Sequence, residues 1–340
     1  MSYAYIGTYS RNGSEGIYRI EFSDGKARIV GSWPARDASY LAVKGDQLAA
    51  VYEGADASAV ALYQIEPNGA LLKLDEKPSG GIAPCYVSID EDNVYTANYV
   101  SGEVGIYSLT KDEGELTDGQ WIAHYGSGVN KSRQESSHAH CAVPVGPDTV
   151  GNYSLAVCDL GTDKVIFYRR EHNNVSLPGY VVNVPPGTGP RHMVYIDKTT
   201  WAVIGELSCE VLVYNHQDEI VTRLPFARTM GDPLELGNTG SALKLSPDGS
   251  MLLATVRGEN TIGVSRRVDG KFQPPIIVDG HGNWPRDASF SPDGQYVLAA
   301  MERSNEITIF KVTDEGLEFT SKLDIPTPTC ICFPENAPAF

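Results

Sequence analysis

Acidic residues outnumber basic ones 43 to 27 across 340 positions, a net charge of −16. Such a chain repels polyanions, and no basic run gathers charge locally, so nucleic acid and anionic membrane surfaces are excluded as partners. No apolar stretch approaches the roughly 18 residues of a membrane helix. The opening Met1-Ser-Tyr-Ala-Tyr-Ile lacks the basic and apolar regions of a signal peptide. Cys85, Cys141, Cys158, Cys209, Cys330 and Cys332 sit singly in or beside apolar strands without a CxxC spacing. They read as reduced, buried thiols of a cytoplasmic protein rather than as disulfides or zinc ligands.

In chain order, the first elements are strands at Tyr3–Tyr9 and Gly16–Glu21. From there a unit recurs: an apolar strand, an acidic turn, a second apolar strand with a polar end, a small-residue loop and a third strand. Its copies open at Arg36, Cys85, His140, Arg191, Ser241, Arg286 and Thr329. The clearest turns are Ser-Pro-Asp-Gly at 246–249 and at 291–294, where Pro presets φ and Gly takes a left-handed position. Alternation such as Glu306-Ile-Thr-Ile-Phe310 marks strands, and helical periodicity is nearly absent.

A period in the range of about 20–50 residues signals a solenoid, propeller or array. Each unit holds four short strands. The chain is therefore expected to be all-β: a single seven-bladed β-propeller over residues 1–340 with four-stranded antiparallel blades. The copy opening near Thr329 stops after one strand, and the missing strands stand at the N-terminus. The last blade should combine both termini, which closes the ring and hides strand edges.

First strands start, and second strands end, on the same face of a propeller. That rim should carry Arg36, His140, Arg191, Arg257 and Arg286 against Glu53, Asp159, Glu206 and Glu302. Within a blade, Arg36 with Glu53, Arg286 with Glu302 and, less readily, Arg191 with Glu206 could be cross-strand ion pairs. The connections 125–137 and 228–240 open on the same face as walls or a lid. His138 and His140, at i and i+2 on a strand, share a face, but no third ligand accompanies them at a convincing spacing, so no metal is expected. His192 should point away from Arg191, and His124, His172, His216 and His281 read as surface or loop residues. No Gly-x-Ser-x-Gly elbow, P-loop or dinucleotide fingerprint is present.

Gly189-Pro-Arg-His-Met-Val194, Gly205-Glu-Leu-Ser208, Ser137-His-Ala-His140, the Arg257-Gly pair and Trp284-Pro-Arg286 together resemble the seven-bladed propeller lactonase family. That family includes propeller-type 6-phosphogluconolactonases and is similar to carboxymuconate lactonizing enzymes. Gly205 stands where the family commonly has Asn. The resemblance implies a sugar-lactone site formed by His140, Arg191, Glu206 and Arg257, and a small anionic sugar lactone as the partner.

On that basis Arg191 and Arg257 would hold the developing oxyanion, and Glu206 or His140 would deprotonate water. Arg286 would take a remote phosphate, with His138 and Arg36 as further substrate contacts. No cofactor is expected. Two alternatives stay open: a non-catalytic propeller that binds an anionic metabolite or peptide, and a cycloisomerase acting on muconate-type acids.

Overall fold

The computed structural model describes residues 2–54, 58–110, 114–146, 153–171, 174–229 and 231–334; His172 and Met230 lie outside this set. Seven antiparallel four-stranded blades surround a central channel. Their innermost strands are Ala38–Lys44, Pro84–Ile89, Ala139–Pro144, Pro190–Asp197, Thr239–Leu245, Pro285–Phe290 and Pro328–Cys332. The seventh blade joins Pro328–Cys332 to Ser2–Thr8, then Gly16–Ser23 and Lys26–Pro34, with Tyr5 opposite Cys332 and Ile6 opposite Ile331. Both ends of the chain thus close the ring. No helix among the described residues is long and apolar enough to cross a membrane.

The burial pattern explains the strand sequences. Second strands such as Met251–Arg257 are buried on both faces and read as continuous apolar runs, whereas outer strands such as Leu71–Pro78 are largely solvated. The core lies between blades. Ile204 and Val211 of the fourth blade pack with Leu252, Ala254 and Val256 of the fifth. Each of the larger aliphatic side chains here contributes about 1.5–3 kcal/mol on burial. The two Ser-Pro-Asp-Gly segments form matching turns, closed by Gly249 N donating to Ser246 O and Gly294 N to Ser291 O, with positive φ at both glycines.

One irregularity recurs around the ring and places the site. Each innermost strand carries a β-bulge near its start. In six blades it leaves Ser39, Cys85, His140, Arg191, Arg286 or Thr329 unpaired; in the fifth it leaves Ser241 with Ala242. An extra residue on one strand breaks the ladder locally and re-aims its side chain. Neighbouring bulges also touch. Arg191 Nη1 donates to Ser241 O at 3.0 Å, and Ser241 Oγ donates to Arg286 O at 2.6 Å. In the first blade the bulge falls at Ser39, three residues after the expected Arg36, because the strand begins only at Ala38.

Candidate active site

Glu206 is the hub of the mouth. It follows the second strand of the fourth blade, Thr200–Gly205, and is almost fully buried. A Cβ on Gly205 would lie 2.6 Å from Thr188 O and 2.2 Å from Ser208 Oγ, so the tight turn that delivers Glu206 needs a glycine there. Glu206 Oε2 lies 2.9 Å from Arg191 Nε, 2.9 Å from Arg257 Nη2 and 3.6 Å from His140 Nε2. Its other oxygen, Oε1, is bonded by Arg133. His140, Arg191, Glu206 and Arg257, drawn from three blades, therefore meet in one cup.

Electrostatics follow from this crowding. Burial alone would raise the Glu206 carboxyl, but Arg257, Arg191 and Arg133 together hold it well below the usual carboxylate range. Burial, aided by Arg191, keeps the His140 imidazole neutral by lowering it well below its ordinary value. Burial also lowers Arg257, to about 10, and its Nε has no hydrogen-bond acceptor among the described residues. The contact of His140 Nε2 to Glu206 is too long for a hydrogen bond, so that nitrogen is not tied up by the carboxylate. His140 Nδ1 faces Cys85 Sγ at 3.5 Å.

The remaining expected residues are placed less centrally. Arg286 sits between Glu53 and Glu302, 3.7 Å from each, above the Tyr9 ring, and Tyr9 Oη donates to Glu53 at 2.9 Å. The cross-strand pair of Arg286 with Glu302 is present, while Glu53 is engaged from the sixth blade. Arg36 is exposed and lies 4.0 Å from Asp37 Oδ2. His138 braces the wall: Nδ1 donates to Tyr99 O at 2.7 Å, Nε2 faces Glu135, and the ring stacks on Tyr99.

Three expectations need correction. His192 does not point away from Arg191; its Nε2 accepts a hydrogen bond from Arg191 Nη1 at 2.8 Å, because the bulge at Arg191 breaks simple alternation. His124 is buried, with Nδ1 3.4 Å from Asp159 and Nε2 2.6 Å from Tyr168 Oη. Asp159 faces inward and accepts from Ser137 Oγ, His138 N and Gly161 N, so it fastens backbone rather than lining the cup.

Sequence reasoning missed two charged groups. Arg133 arrives from the 125–137 connection and binds both Glu206 and Tyr99 Oη. The signal available was a lone basic residue in a loop bound for the mouth. Lys244 lies one layer deeper, 3.3 Å from Asp287 Oδ1 and 3.2 Å from Tyr40 Oη, and Asp287 draws its proton affinity upward against the effect of burial. Beside the cup, a groove of about 470 Å³ runs between the two long connections, lined by Val129, Asn130, Leu207, Ser208, Asp232 and Leu234.

The model of the seven-bladed β-propeller lactonases matches residues 3–333. A 6-phosphogluconolactonase from Bacillus subtilis is 33% identical and aligns over 97% of each chain. A periplasmic gluconolactonase from Pseudomonas aeruginosa superposes with a TM-score of 0.85 at 27% identity, over 98% of both chains. A Lactobacillus plantarum protein of solved structure gives 0.87 at 28% identity, over 98% of this chain and 99% of its own. The chain belongs to the seven-bladed β-propeller lactonase family.

Proposed function

We propose that this protein hydrolyses a sugar lactone, with 6-phosphogluconolactone opened to 6-phosphogluconate as the preferred reaction. The observation that carries the reading is the surplus of positive charge at Glu206: three guanidiniums share one carboxylate, and a buried Arg257 N–H remains without an acceptor among the described residues. A buried donor left unpaired costs about 1–3 kcal/mol, which an incoming oxyanion returns. The similarity to a Bacillus 6-phosphogluconolactonase and a Pseudomonas gluconolactonase points the same way.

In this scheme a water oxygen adds to the lactone carbonyl carbon. The carbonyl π electrons move to oxygen, where Arg191 and Arg257 hold the charge. The water proton passes to His140 Nε2. The ring carbon–oxygen bond then breaks, and His140 returns the proton to the departing ring oxygen. We assign the base to His140 because Glu206, bound by three guanidiniums, is a poor proton acceptor; Glu206 orients the arginines and the water. Arg286, already matched by two carboxylates, holds the shape of the opposite wall instead of binding phosphate. The step needs no cofactor. Six cysteines held as thiols, none in a disulfide, suit a reducing, cytoplasmic setting.

Phosphorus and carbon NMR of freshly prepared 6-phosphogluconolactone tests this. The expected product is 6-phosphogluconate, formed faster than by spontaneous opening. Tight anion binding without turnover, or cyclisation of muconate-type acids in its place, would overturn it.

A further inference from the structure

The two charge clusters of the mouth have opposite balance. At Glu206 one carboxylate faces Arg133, Arg191 and Arg257. At Arg286 one guanidinium faces Glu53 and Glu302. The first cluster is net positive and the second net negative, so the buried layer of the cup attracts an anion on one flank only. The neighbouring groove offers apolar Val129, Leu207, Pro233 and Leu234 with Asp232 as its charged group, and so accepts an uncharged part of a ligand better than a phosphate.

The three guanidiniums at Glu206 also differ in freedom. Arg191 and Arg257 stand at strand ends with side chains 4% and 8% exposed; Arg133 is 32% exposed. The backbone beneath Arg133 is fixed. Gln134 is fully buried, with Nε2 donating to Leu160 O at 2.9 Å and Oε1 accepting from Asn130 N at 3.0 Å. Asn130 Oδ1 in turn accepts from Arg133 N at 3.1 Å. The side chain can change partner while its anchor stays still. Its second hydrogen bond runs to Tyr99 Oη at 3.1 Å.

We propose that Arg133 is the specificity-determining residue that reads the phosphate arm of the substrate, exchanging its contact with Glu206 for the phosphate oxygens. The inference rests on the lactone-hydrolysis reading above. A guanidinium fork matches a phosphate with two parallel hydrogen bonds, which a single ammonium does not reproduce. The exchange also removes one of the cations pinning Glu206 only when a phosphorylated substrate is in place. A neutral lactone leaves Arg133 where it is.

The test compares kcat/KM for 6-phosphogluconolactone and for unphosphorylated gluconolactone in the wild type, Arg133→Ala, Arg133→Lys and Arg303→Ala. Arg303 is the control: it is exposed and lies on the Trp284 ring. In Arg133→Ala the preference for the phosphorylated lactone should fall at least tenfold, with Arg133→Lys between it and wild type. Arg303→Ala should keep the preference within about twofold. An unchanged preference in Arg133→Ala, or its loss in Arg303→Ala, overturns the inference while leaving lactone hydrolysis standing. Wild-type protein that opens neither lactone overturns both. Should Arg133→Ala fold poorly, competitive inhibition of the wild type by inorganic phosphate, weakened at least fivefold in Arg133→Lys, supports the inference; equal inhibition overturns it.

Discussion

Arg257 Nη2 lies 2.9 Å from Glu206 Oε2, while the Nε of the same guanidinium, buried in the cup, donates to no acceptor among the described residues. One end of the side chain is thus anchored by a carboxylate, and the other presents a desolvated N–H. Loss of a single oxyanion donor typically raises a barrier by about 2.7–4 kcal/mol. Arg257→Lys keeps the charge and removes the fork. It should lower kcat for lactone opening on the order of 10²-fold, with KM changed much less. Steady-state kinetics checks this, and an equal loss in KM with kcat intact would assign Arg257 to ground-state binding instead.

Glu206 should matter for stability as much as for turnover. Glu206→Gln leaves buried Arg191 and Arg257 facing each other without a counter-charge. Removing one partner of a buried ion pair typically costs about 3–5 kcal/mol. Urea unfolding should place Glu206→Gln well below wild type, and Arg133→Ala close to it, because Arg133 is the least buried of the three guanidiniums. A Glu206→Gln protein as stable as wild type would mean that the arginines are solvated in solution.

Deeper in the channel, the ion pair of Lys244 with Asp287 is a separable unit. Asp287 Oδ2 also accepts from Ile331 N at 2.9 Å, which ties the sixth blade to the closing strand of the seventh. Asp287→Asn should lose about 3–5 kcal/mol, and the double variant Lys244→Met with Asp287→Leu less than that. Chemical unfolding of the single and double variants reads the difference. A double variant worse than Asp287→Asn would show that the hydrogen bond to Ile331 outweighs the charge pair.

Acid should destabilise the fold in two stages. His140 and His192 both lie well below their ordinary value near 6.5, burial being the main cause for each. Glu206 lies well below its ordinary 4.5. In each case the unfolded chain takes up a proton at a higher pH than the folded one, so stability rises with pH in that interval. On acidification the loss begins as pH falls through about 6.5, and deepens below about 4.5. His192→Gln keeps an acceptor for Arg191 but does not titrate, so the slope between pH 6.5 and 5 should shrink. Thermal melts across this range check the sign; a flat profile from pH 7.5 to 5.5 would contradict neutral burial.

The ring of blades was legible because each unit repeats its own turn and strand pattern, and closure was legible because a lone terminal strand needs partners. The residues opening the first strands were also legible from Cys85 onward, since they coincide with the bulges that turn side chains to the channel. Arg36 was misaligned because nothing in the first unit marks the bulge at Ser39. Strict alternation failed at His192 for the reason that a bulge violates the period of two on which it rests. Arg133 was not legible, because a loop's conformation fixes where its side chain goes, and here that depends on Gln134 reaching Leu160 in another segment. His124 was misread because its burial comes from Tyr168 and Asp159 of the next blade rather than from its own sequence neighbours.

The guanidiniums around Glu206 are proposed to open a lactone. This is tested most directly by initial rates of acid release from fresh 6-phosphogluconolactone, corrected for spontaneous opening, with wild type and Arg191→Ala side by side. Wild-type release should lie well above background, and a folded Arg191→Ala should show at least a tenfold lower kcat. Background-level release by the wild type, or near-normal turnover by the variant, would contradict it.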